Sequence, residues 1–148
     1  MQLKVKRISE HATLPTRATP DSAGFDLYAS EDAWLLPPYK DHGYIKVSTQ
    51  AISTGLTIEI PQGYFARILP RSGLALKGVV IGAGVIDSDF RGELKVVIHY
   101  LGTDSWTISK GDRIAQLIIL PLPRFEIVEC EDLDDTTRGN GGFGSTGK

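Results

Sequence analysis

The sequence predicts an all-β protein, an antiparallel sandwich or barrel in one domain. Apolar and polar residues alternate with period two along several short runs, and Gly- and Pro-containing turn signals separate those runs. No long segment carries an apolar stripe of helical period. Residues 3–8 read as the first strand, and residues 23–29 (AGFDLYA) alternate around a single acid, Asp26. Pro37-Pro38 and the polar stretch 40–44 (KDHGY) read as a loop, followed by a strand over 44–48. In residues 56–60, Leu56, Ile58 and Ile60 share one face, and after Pro61-Gln62-Gly63 a strand runs over 64–69. One short helix is expected over 73–77, with Ser72 as its N-cap and Gly78 as its stop. Residues 82–92 read as a β-hairpin, and residues 94–99 alternate with Leu94, Val96 and Ile98 on one face. Turns at 102–104 and 110–112 precede strands over 114–120 and 125–130.

A chain of 148 residues suits one compact core, so residues 1–135 are read as a β-domain and 136–148 as a flexible glycine-rich arm. The net charge of −2 excludes the basic field that drives binding to nucleic acid, which favours a small ligand gripped by locally placed groups. Cys130 is the single cysteine, so no intrachain disulfide is possible and a reducing, intracellular setting (cytoplasm or nucleus, not secreted) is expected. The N-terminal stretch shows no long apolar run, so neither a signal peptide nor a membrane span is expected. His11, His42 and His99 stand singly and spell no metal cluster.

Five segments carry residues suited to chemistry. Pro70-Arg71-Ser72-Gly73 joins a strand to the short helix. Free N–H groups, a hydroxyl and a guanidinium fork there make a phosphate clamp, or a merely capped turn. In residues 82–92, glycines allow close approach of a ligand to the backbone, Asp87 can polarise a water, and Phe90 can pack on a ring. Turn chemistry alone explains that stretch equally well. Asp26 lies among apolar residues, where a carboxylate needs a partner; it holds the water shell of a magnesium ion or accepts backbone N–H groups. In residues 111–117 (GDRIAQL), Gln116 is the polar residue placed to reach a ligand, and Asp112–Arg113 read as a plain surface pair. Residues 138–148 (RGNGGFGSTGK) combine five glycines with one aromatic, hydroxyls and cations, which suits a polyphosphate and a stacked ring.

Together and in this order, AGFDLYA, PRSGLALK, GAGVIDSDFRGE, GDRIAQL and RGNGGFGSTG resemble the five motifs of the trimeric dUTPases, over residues 23–147. The resemblance implies a jelly-roll-type β-barrel, a homotrimer with active sites shared between subunits, and hydrolysis of dUTP to dUMP and pyrophosphate with Mg2+. It implies that Asp87 activates the attacking water, that Asp26 holds magnesium through water, and that Arg71, Ser72, Gly73 and Gln116 lie at the phosphates. Gly84, Val85 and Ile86 would bind the uracil edge and Lys95 would assist them. Arg138, Gly144, Ser145 and Thr146 would close over the outer phosphates, and Phe143 would stack on uracil. The family usually has tyrosine where this chain has Phe90, whose ring would still pack on deoxyribose but donates no hydrogen bond. A dCTP deaminase, which shares the fold, and a silent binding module are the alternatives. The hairpin and arm disfavour the first, and retention of Asp87, Arg71, Arg138 and Phe143 disfavours the second.

Overall fold

Alternating sequences of this kind bury one face of each strand and must pair in sheets to do so. In a computed structural model, which describes residues 1–142 and 145, they pair antiparallel throughout. The strands are β1 (Lys4–Arg7), β2 (Phe25–Tyr28), β3 (Ala33–Leu35), β4 (Tyr39–Asp41), β5 (Tyr44–Lys46), β6 (Ser48–Ser53) and β7 (Leu56–Glu59). After them come β8 (Tyr64–Leu69), the helix α1 (Ser72–Ala75), β9 (Val79–Gly82), β10 (Val85–Ile86), β11 (Lys95–Tyr100), β12 (Trp106–Ile108) and β13 (Arg113–Pro121). One sheet has the order β10-β8-β13-β2 and another β6-β11-β9; β1-β7, β3-β12 and β4-β5 are two-stranded.

The inward faces form one core. Leu27, Leu35, Ile52, Ile58, Ile68, Val96, Ile98, Ile114 and Leu117 belong to it, all nearly or wholly buried. Each such side chain contributes about 1.5–3 kcal/mol by leaving water. The alternation expected over 94–99 holds: Leu94, Val96 and Ile98 are buried while Lys95, Val97 and His99 face outward.

Several expectations need correction. Residues 40–44 are not an irregular loop but the tip of the β4–β5 hairpin. His42 (φ 48°) and Gly43 (φ 86°) give it the doubly left-handed two-residue turn that matches strand twist. Residues 125–130 form no strand: Phe125, Ile127 and Val128 are 85%, 97% and 73% exposed, because among the described residues no strand lies beside them. The helix begins one residue earlier than expected, with Arg71 at the N-cap in extended backbone and no side-chain cap bond, so Ser72 is its first helical residue. Gly78 (φ 84°) does end the helical turn, its N–H bonded to the carbonyl of Ala75 at 3.0 Å. Residues 82–92 do not pair with themselves. β9 pairs with β11 and β10 with β8, so Ala83 (φ 53°) and Gly84 (φ 95°) carry the chain from one sheet to the other.

Candidate functional site

The sheet places an acid, an amide and a loop in one row. On β13, Gln116 lies opposite Asp26 of β2 on one side and Leu69 of β8 on the other. Its side-chain amide donates to the carbonyl of Pro70 at 2.9 Å, which fixes the exit of β8 and the loop into α1. Gly24 makes room for this: a Cβ there would come within 2.5 Å of Gln116 Oε1. Beyond Pro70, Arg71 extends over Asp26, with Nε 3.0 Å from Oδ1. The other carboxylate oxygen, Oδ2, accepts from Arg113 at 3.3 Å. Asp26 is itself anchored through its backbone, whose N–H donates to the carbonyl of Thr16 at 2.7 Å.

Asp26, Arg71, Ser72, Gly73, Leu74, Lys77 and Gln116 enclose a cavity of about 370 Å³. The first turn of α1 leaves backbone N–H groups without helical acceptors. With Arg71 and Lys77 beside one carboxylate, the lining is cationic on balance, which suits an anion. The sequence pointed to Asp26, Arg71, Ser72, Gly73 and Gln116, and the structure brings these five together. Asp26 meets guanidinium groups rather than the backbone N–H donors offered as its alternative partners. Lys77 and Arg113 were missed. Lys77 lies in the turn just past α1, and its place in the same short segment as Arg71, Ser72 and Gly73 is the signal that would have found it.

The remaining candidates lie elsewhere. Gly84 sits tightly against β8: its carbonyl accepts from Ile68 N–H at 2.8 Å, and a Cβ would come within 2.9 Å of Ile68 O. From there β10 runs antiparallel to β8, with Val85 opposite Arg67 and Ile86 opposite Ala66. Asp87 therefore emerges, exposed, beyond the β10–β8 pairing and away from Arg71, which follows the opposite end of β8. Its carbonyl accepts from Phe90 N–H at 3.2 Å, and the Arg91 guanidinium ties the carbonyls of Ser88 and Phe90 at 2.8 Å each. The Phe90 ring covers Gly92, where a Cβ would meet it at 2.6 Å. Lys95 opens β11 opposite Ser53, its Nζ 3.6 Å from Glu93. None of Gly84, Val85, Ile86, Asp87, Phe90 or Lys95 lines the cationic cavity. In the arm, Arg138 Nε donates to the carbonyl of Gly141 at 2.8 Å, and Ser145 N–H to that of Gly142 at 3.0 Å. Phe143, Gly144 and Thr146 lie outside the described residues.

The family profile described as dUTPase matches residues 10–147. The chain belongs to the dUTPase family. It is 47% identical over its whole length to the mitochondrial deoxyuridine 5'-triphosphate nucleotidohydrolase of Homo sapiens, of which it spans 56%. To the enzyme of the same name from Hydrogenobaculum sp. it is 45% identical, with 99% of each chain covered. Among solved structures, a mutant dUTPase of Staphylococcus bacteriophage 80alpha with dUpNHpp superposes with a TM-score of 0.88 at 28% identity, covering 99% of both chains. A mutant dUTPase of phage phi11 of S. aureus, in which coordination of a structural Mg(II) ion is described, gives 0.78 at 26% identity over 89% of this chain and 98% of that one. The all-β fold is thus the jelly-roll-type fold of these dUTPases.

Proposed function

We propose that the chain hydrolyses dUTP to dUMP and pyrophosphate in a homotrimer whose active sites are shared between copies, so that it lowers dUTP and supplies dUMP for thymidylate synthesis. One observation carries the shared site: the cationic cavity and the exposed Asp87 sit apart on a single chain. A second copy supplies each cavity with Asp87, the carboxylate that activates water in this reading. The exposed apolar run Phe125, Ile127 and Val128 supports the same reading, since a neighbouring copy gives it the cover its own chain does not.

In this reading Arg71, the Ser72 hydroxyl and the Gly73 N–H hold the phosphates, and Gln116 keeps their loop in place. Gly84, Val85 and Ile86 present backbone groups to the uracil edge, Phe90 packs on deoxyribose, and Lys95 stands beside them. Groups set for uracil meet the wrong pattern on cytosine, and the unpaired buried polar groups that result weigh against binding it. Asp87 accepts a proton from water as that water's oxygen bonds to the α-phosphorus. The bond from that phosphorus to the bridging oxygen breaks, and pyrophosphate leaves. Residues 1–135 form the barrel domain, and residues 136–148 form the arm, in which Arg138, Gly144, Ser145 and Thr146 reach the outer phosphates and Phe143 stacks on the base.

Magnesium would enter this cationic cavity with the substrate, since it keeps most of its waters and binds through one or two carboxylates plus substrate phosphates; Asp26, whose Oδ1 and Oδ2 already meet Arg71 and Arg113, is the carboxylate of the lining. Asp26 would hold it through water, and bound there it neutralises phosphate charge. Among the described residues no helix is long and apolar enough to cross a membrane, and we place the enzyme inside the cell, in cytoplasm or nucleus. The test is pyrophosphate release from dUTP, dTTP, dCTP and UTP offered separately, with and without magnesium. Release from dUTP alone is expected. Comparable release from UTP would refute the role given to Phe90, and none from dUTP would refute the activity.

A further inference from the structure

We infer that Arg113 is a positioning residue for the phosphate-binding arginine, acting on Arg71 through Asp26. The inference rests on the reading of the cationic cavity as the phosphate site. It starts from an irregularity in β13. Strict alternation would send Arg113 to the same face as Ala115 and Leu117, both wholly buried, where a guanidinium has no place. The pairing with β2 avoids this. Arg113 lies opposite Tyr28, Ala115 opposite Leu27 and Gln116 opposite Asp26, so β13 carries one extra residue across this stretch. That residue makes a β-bulge: Ile114 and Ala115 both turn into the core, and Arg113 swings onto the face that holds Gln116 and Asp26. Residues three apart on a regular strand face opposite ways; here they face the same way, and Arg113 meets Asp26.

The consequence for Arg71 follows from how a carboxylate and a guanidinium pair. A free carboxylate grips arginine with both oxygens and two parallel N–H bonds. In this site Arg113 donates to Oδ2 at 3.3 Å, and the contact of Asp26 with Arg71 falls on Oδ1 and Nε, at 3.0 Å. The two terminal amino groups of Arg71 stay available to the cavity. Two guanidiniums on one carboxylate also leave an excess positive charge beside it. The side chain of Asp26 is 12% exposed and that of Arg71 32%, so water screens this pair little, whereas Arg113 at 49% lies outside the cavity lining. Without Arg113, Asp26 is free to take Arg71 in the two-pronged grip and draw its fork away from the phosphates.

The experiment is a double-mutant cycle read by calorimetric binding of dUpNHpp to folded trimer, with thermal melting as the control for fold. Arg113→Gln should weaken binding about tenfold, and should raise KM for dUTP more than it lowers kcat. In an Arg71→Gln background the same change should cost less than about twofold, because the group it positions is gone. Arg113→Lys, which keeps the charge and a donor toward Asp26, should recover most of the loss. An equal loss in both backgrounds would overturn the inference, since Arg113 would then act on the nucleotide or on the fold directly. No loss in either would overturn it too. If Arg71→Gln alone left binding unchanged, the phosphate reading of the cavity would fail, and this inference with it.

Discussion

The decisive residue for turnover in this reading is Asp87, which the fold leaves exposed at the end of β10 and away from its own chain's cavity. Asp87→Asn should lower kcat by about 10²–10⁴-fold, the usual contribution of a positioned base, while dUpNHpp binds nearly as before. A variant that turned over like the parent would remove Asp87 from the role of base. Arg71, Ser72 and Gly73 were legible in the sequence because their types match phosphate chemistry, Asp26 because an acid among apolar residues needs a partner, and Gln116 as the polar residue of its strand. Arg113 was not. Its sequence neighbour Asp112 made it look like a surface pair, and only the extra residue in β13 turns it toward Asp26.

Among the elements, the sheet-to-sheet passage at Ala83 and Gly84 is the most demanding. Gly84 combines φ 95° with a Cβ position 2.9 Å from the Ile68 carbonyl oxygen, so a side chain there meets both backbone strain and a clash. Gly84→Ala should destabilise the fold by about 1–3 kcal/mol, read as a lower denaturant midpoint. An unchanged midpoint would mean that this passage tolerates rearrangement. The glycine pair announced a bend in the sequence, yet not that its two flanks join different sheets, since pairing partners distant along the chain decide that. Strand β13 closes the ordered sheets at Pro121, and residues 122–140 are exposed. Deleting residues 138–148 should therefore reduce kcat/KM sharply and leave the unfolding midpoint in place. A truncated chain that unfolded, or one that kept full activity, would contradict the arm's role.

At the scale of the whole molecule, shared sites predict complementation. If each site takes Arg71 from one copy and Asp87 from another, then inactive Arg71→Gln and Asp87→Asn chains, unfolded and refolded together in equal amounts, should regain about a quarter of parental activity. Sites confined to one chain would regain none. The sequence by itself determined the all-β class, most of the strands and five residues of the cationic cavity, Lys77 not among them. Period-two alternation and chemical type are local properties that survive whatever the chain pairs with. It also pointed to a strand at 125–130, where Phe125, Glu126 and Ile127 alternate but no strand among the described residues pairs with them. Tertiary structure alone decided the order β10-β8-β13-β2, the bulge that aims Arg113, and the separation of Asp87 from the cavity it would serve. Those features depend on which distant strands share a register, and a one-residue shift in register reverses every side chain on the strand.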